Sequence, residues 1–236
     1  MRILLIFLCS ILSTAHAEIN IERFEISGDY GFAYHSIEGE QKSNKSRGRL
    51  TSPQFPYYNG ALTIRLTQNL GIRFFGGIHF VRFDEPVGTQ ELKSEQKELF
   101  HYGMEIITKT GPSSRIGYFI MQQERPLYFT KTPNEYEVIK NQFAQAGLSL
   151  TLHQRRRIGV LWGLGAKAFA LFPVEGGDIV TESGLGGEGF ARIGYIGPLG
   201  TSYFIKGFYQ IATAPNAEVN FTHEVYGYAA QINFTF

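Results

Sequence analysis

From residue 23 onward, apolar and polar side chains alternate at every second position, the period of a pleated strand whose successive Cβ atoms point to opposite faces. In 23–36, Phe24, Ile26, Tyr30, Phe32 and Tyr34 share one face, and Arg23, Glu25, Ser27, Asp29 and His35 share the other. The segment 58–67 repeats this with Leu62, Ile64 and Leu66 against Asn59, Thr63, Arg65 and Thr67. A third strand sets Ile72, Phe74, Ile78 and Phe80 against Arg73 and His79, and a fourth sets Phe100, Tyr102, Met104 and Ile106 against His101, Glu105 and Lys109. Segments 115–125, 138–152, 157–172, 185–196, 201–212 and 221–236 complete a set of ten, or eight if the fifth or eighth is not a strand. No window beyond residue 22 holds 18 consecutive apolar residues, so no transmembrane helix is expected.

The connections fall into two classes. Short turns are expected near 68–71, 110–114, 153–156 and 197–200, and long polar loops at 38–56, 84–97, 126–137, 173–184 and 213–220. An even number of strands, tight turns at one rim, long loops at the other and both termini at the tight-turn rim predict an all-β fold, a closed antiparallel up-and-down barrel.

Space decides which face points outward. Ten strands, each contributing about four large apolar side chains, would overfill a lumen of that size. Turned outward, the same side chains meet acyl chains while closure satisfies every backbone group. The expectation is therefore a transmembrane barrel, with a soluble barrel of the lipocalin type as the alternative. In the last segment, Tyr226, Tyr228, Ala230, Ile232, Phe234 and Phe236 form an unbroken row against Gly227, Ala229, Gln231, Asn233 and Thr235. That row, above all Tyr226, Tyr228, Ile232, Phe234 and Phe236, resembles the terminal assembly signal of bacterial outer-membrane β-barrel proteins. The resemblance spans the mature chain. It implies insertion by the barrel-assembly machinery and residence in the outer membrane of a Gram-negative bacterium.

Residues 1–17 fit a signal peptide: Arg2, an apolar stretch from Ile3 to Leu12, and the small-x-small site Ala15-His16-Ala17. Residues 18–236 then form one barrel domain. Cys9, the single cysteine of the 236 residues, leaves with the signal, which excludes disulfides, thiolate nucleophiles and Cys-ligated zinc from the mature protein. A formal net charge of +1 offers no field to attract nucleic acid. The 34 aromatics and 27 glycines suit many short strands.

The inward face carries mixed charges: Glu25, Asp29, Arg65, Arg73, His79, His101, Glu105, Arg115, Lys167, Glu188, Arg192 and Lys206, with His35, Gln123 and Gln145. Mixed signs in a narrow enclosure predict pairing, and a hairpin closing near 178 brings Lys167 to Glu188. Inward Phe75, Phe83, Phe119, Phe169, Phe190, Phe204 and Phe208 add bulk. A hairpin centred on residue 90 sets His79 opposite His101, near Glu105. Such a set suits a divalent metal or acid/base chemistry, or equally two histidines hydrogen-bonded within a polar plug.

No zinc-binding spacing, nucleophile elbow or phosphate-cradling loop is present, and the sequence implies no cofactor, resident metal or assigned catalytic residue. The omptin proteases share a ten-stranded architecture but carry Asp-Asp and Asp-His couples high on opposite walls; here the nearest acidic couple is Asp84-Glu85, in a loop. A lipid A deacylase would need His-x-Ser on the lipid face, whereas His35-Ser36 is adjacent. The readings carried forward are a non-catalytic structural or surface-interaction barrel with a largely plugged lumen, a narrow channel for small solutes or ions, and an outer-membrane enzyme built on His79 and Glu105.

The first loop holds Lys42, Lys45, Arg47 and Arg49, a candidate grip for lipopolysaccharide phosphates, and the second holds Asp84, Glu85, Glu91, Glu95 and Glu98. The run Arg155-Arg156-Arg157 is expected at a turn facing periplasmic phospholipid or cell wall.

Overall fold

A computed structural model describes residues 23–83, 91–92, 96–132, 135–155, 159–174, 180–197 and 200–236. The expected signal peptide lies outside them. The strands are β1 (Arg23–Gln41), β2 (Arg47–Arg65), β3 (Leu70–Val81), β4 (Glu91–Leu92), β5 (Lys97–Lys109), β6 (Ser114–Thr132), β7 (Glu135–Arg155), β8 (Val160–Pro173), β9 (Gly184–Ile196), β10 (Thr201–Pro215) and β11 (Val219–Thr235). The two-residue β4 lies parallel against the start of β7. The other ten pair with their sequence neighbours in antiparallel ladders, and β1 pairs with β11 from Glu25↔Thr235 to Gln41↔Val219, closing the barrel. The strand number is ten, not eight.

The outward set is the one the alternation indicates. Ile26, Tyr30, Tyr118, Ile120, Leu148, Leu150, Ile205, Tyr228 and Phe234 are all at least 43 % exposed. Along β11 the row runs from Tyr226 to Phe236; at about 3.4 Å per residue and a tilt near 40° it is ~25 Å tall, the height of a bilayer's apolar band.

Three expected loops are strand instead. β1 and β2 extend to Gln41 and from Arg47, leaving a short turn in which Lys45 takes a left-handed φ of 59°. β6 and β7 fill most of 126–137, and β10 and β11 most of 213–220. Strands of 19 to 21 residues are ~60 Å long, far more than the band needs. The reason is physical. Beyond the band the pleat continues, but the two faces exchange polarity because the outside now meets water. In β1 the outward row Ile26, Tyr30, Tyr34 gives way to Ser36, Glu38 and Glu40, while inward Glu25, Ser27 and Asp29 give way to Ala33 and Ile37. A bulge in β2 at Pro53 and Gln54, opposite the step from Ala33 to His35, resets that strand's parity so that Ser52 and Leu50 point inward. The outer third of the barrel therefore has an interior like a soluble protein's: Ile37, Val81, Phe83, Leu127, Phe143 and Leu171 are at most 2 % exposed and belong to one apolar cluster.

Candidate functional site

The inward side chains form four layers. The outermost is that apolar cluster, closed over by β6. Tyr128 donates its hydroxyl to the Gly48 carbonyl across the mouth at 2.8 Å, and its ring meets Phe221 of β11 at 5.7 Å. The approach requires glycine beneath it, because a Cβ on Gly39 would stand 2.5 Å from the Tyr128 hydroxyl and one on Gly48 2.9 Å from it.

Beneath the cluster lies a histidine layer. His35 Nδ1 is 3.1 Å from His223 Nε2, and His79 Nδ1 is 3.3 Å from His35 Nε2. The His101 ring stands edge-on to that of His79 at 5.6 Å, and Tyr57 stacks on His79 at 4.9 Å. Arg125, 1 % exposed, is 3.1 Å from His223 Nδ1 and donates to Gln123 Oε1 at 3.0 Å, which also accepts from Gln145 at 2.7 Å. Seven strands meet in this layer, β1, β2, β3, β5, β6, β7 and β11.

The third layer is ion-paired and surrounds a cavity of about 110 Å³. Lys167 pairs with Glu188 at 3.0 Å, directly across the β8–β9 ladder, and Lys206 pairs with Asp29 at 3.3 Å. Glu105 accepts from the Ser149 hydroxyl and lies 3.8 Å from Arg73. The innermost layer holds Arg65, paired to Glu25 at 3.4 Å, together with Arg115 and with Arg192, which donates to Gln231 at 3.2 Å. All twelve sequence-derived lumen residues thus lie inside the barrel.

The His79–His101 pairing differs from expectation. Their ladder is displaced by two residues, so His79 faces Leu99 and His101 faces Gly77. An even displacement keeps both rings on the inner face, which is why they still touch. Glu105 does not join them: it faces Arg73 across the ladder, and no hydrogen bond or ion pair links it to His79 among the described residues. Among the described residues no group of three or more His, Cys, Asp or Glu is arranged to hold a metal ion. Asp29, the one aspartate among them, is bound to Lys206.

The basic outer residues are placed differently from the expected free loop. Arg47 and Arg49 lie on β2, where Arg47 meets Glu40 at 2.7 Å and Glu38 at 3.6 Å, and Arg49 meets Glu224 at 3.0 Å. Lys45 meets Glu40 at 3.4 Å, while Lys42 forms no ion pair among the described residues. The acids were hidden from a reading of 41–50 alone because they sit on the facing strands. The acidic couple Asp84-Glu85, the residues Arg156 and Arg157 and the Arg155 side chain lie outside the described part. Arg125 and His223 had escaped notice, although the parity that turns Gln123 inward also turns Arg125, and the outward row ending at Tyr226 leaves His223 inside.

No family profile matches the chain, and no curated protein sequence matches it. Among solved structures, the outer membrane protease OmpT from Escherichia coli superposes with a TM-score of 0.61 at 11% identity, covering 95% of this chain and 100% of that one. An outer membrane channel from Pseudomonas putida F1 gives 0.47 at 10% identity over 94% and 98% of the two chains. The translocator domain of an autotransporter from Neisseria meningitidis gives 0.42 at 8% over 100% and 95%. The first likeness shows the fold. The architecture and the outward apolar belt together make the chain an integral β-barrel protein of the outer membrane.

Proposed function

We propose that this barrel acts without catalysis, as a structural or surface-interaction protein of the outer membrane whose lumen is closed toward the outside. The observation that carries the reading is the apolar cluster of the outer third, with Tyr128 drawn across the mouth to Gly48. A solute or ion crossing there would have to leave water for a close-packed interior. The same outer third projects roughly 20 Å beyond the apolar band, on strand pairs β1–β2 and β6–β7 whose outward faces are polar, a rigid platform for surface contacts. Outer-membrane lipid is the partner of the aromatic belt, lipopolysaccharide phosphates are partners for Lys42 at the outer turn, and the barrel-assembly machinery reads the terminal row ending at Phe236.

The test is electrical. In planar bilayers at neutral pH the folded protein gives no discrete conductance steps, with heat-modifiable gel migration proving that it is folded. Reproducible steps would replace this reading with the narrow channel.

A further inference from the structure

The innermost layer holds charge that a closed plug does not require. A second cavity of about 110 Å³ opens beside the β2–β3 and β5–β6 turns and is lined by Arg65, Lys109, Arg115 and His153, with the hydroxyl-bearing Thr63 and Thr67. Among the described residues no carboxylate lines it. Lys109 and Arg115 stand directly opposite each other in the β5–β6 ladder, a like-charge pairing that weakens a sheet when nothing offsets it. Among the described residues neither has an ion pair. Arg65 has Glu25 at 3.4 Å, Arg73 has Glu105 at 3.8 Å, and Arg192 stacks on Phe204 at 4.6 Å. Leaving aside the Arg73–Glu105 pair of the layer above, four cations among the described residues, Arg65, Lys109, Arg115 and Arg192, therefore face one anion, Glu25, an excess of three positive charges. Low-dielectric walls focus such a field into the cleft.

We propose that this vestibule is a binding site for an oxyanion of the phosphate class, entering from the periplasmic side, where the tight turns lie. Arg115 and Arg65 present planar guanidinium forks that match two oxygens of a tetrahedral anion, Lys109 supplies a point charge, and the threonine hydroxyls add donors. The anion offsets the Lys109–Arg115 repulsion, so site and ladder stabilise each other. Free phosphate and the phosphate of a lipid headgroup share this chemistry.

The experiment uses the full barrel refolded in a maltoside detergent and phosphate-free buffer at low ionic strength. Inorganic phosphate is titrated by calorimetry, and in a parallel arm a short-chain phosphatidylglycerol is titrated. Saturable binding of either supports the site, and whichever arm responds names the source. Arg115→Gln weakens binding by about tenfold, the worth of one charge-assisted contact, Arg115→Lys retains part of it, and Lys42→Gln at the opposite rim leaves it unchanged. Heat-modifiable migration shows that each variant is folded, and Arg65→Gln serves in place of Arg115→Gln if the latter is not. The proposal is overturned if neither probe binds up to about 10 mM, or if the glutamine variant binds as the wild type does.

Discussion

Arg125 Nη1 donates to His223 Nδ1 at 3.1 Å, and that bond sets the tautomers of three histidines. A guanidinium has no acceptor, so His223 must offer the lone pair of Nδ1 and carry its proton on Nε2. That proton goes to His35 Nδ1, and the Nε2 proton of His35 goes to His79 Nδ1. The array is thus three neutral imidazoles ordered in one direction from the buried cation.

The array is closed only while those rings are neutral. A proton added to any of them sets two donors face to face and adds a charge to a layer that already holds Arg125, with Lys167 and Lys206 just below, each already paired with its own carboxylate, Glu188 and Asp29. Ordinary imidazole titrates near pH 6.5, so stability present at pH 7.5 falls as the solution is taken to about pH 5. Thermal unfolding of the refolded barrel at the two pH values measures this. His35→Leu, which removes the middle ring, flattens the pH response; a variant with undiminished acid sensitivity would refute the tautomer chain as its origin.

Ile205 is 69 % exposed and faces Ala230 across the β10–β11 ladder, near the middle of the apolar row. Ile205→Arg places a charge in acyl chains and costs about 2–4 kcal/mol in urea unfolding from lipid vesicles, while Ile205→Leu is nearly silent. Equal stability of the arginine variant would mean that this face does not meet lipid.

Lys167 and Glu188 are 28 % and 14 % exposed and line a cavity, so their separation is less severe than in a close-packed core. Lys167→Met leaves Glu188 without its nearest cation and costs about 3 kcal/mol, the low end for a buried pair. Replacing both with methionine recovers most of the loss. A double-mutant cycle reads the coupling, and a coupling near zero would show that the pair contributes nothing.

Tyr128 and Gly39 are coupled at the outer mouth. Tyr128→Phe gives up the bond to Gly48 and costs about 1 kcal/mol. Gly39→Ala pushes the hydroxyl aside in the wild type; in the phenylalanine background that contact is gone, and the ring edge at 3.1 Å and the Val219 side chain at 3.2 Å remain. The double variant therefore costs less than the sum of the singles, and strict additivity in denaturant unfolding would show that the two do not touch.

The strand number, the lipid-facing row from Tyr226 to Phe236 and the inward direction of Lys167, Glu188 and their neighbours were legible in the amino-acid sequence. Each depends only on period-two alternation within one segment, a local property of the pleat. The outer extensions of β1, β2, β6 and β7 were not legible. Their polar outward faces look like loop to a reading that assumes lipid outside, and the exchange of faces at Tyr34 and His35 becomes visible only when the barrel outgrows the bilayer.

What tertiary structure alone decided is contact across the lumen. Sequence could turn His35, His79, His101 and, by parity, His223 and Arg125 inward, but it could not bring them to one level. His35 and His223 are 188 residues apart in the chain, and their meeting depends on closure of β1 against β11; that of His79 with His101 depends on a ladder offset by two residues from the simplest hairpin. The face of a side chain is settled by its own strand. Its height in the barrel is settled by the tilt and register of all ten, which no local pattern encodes.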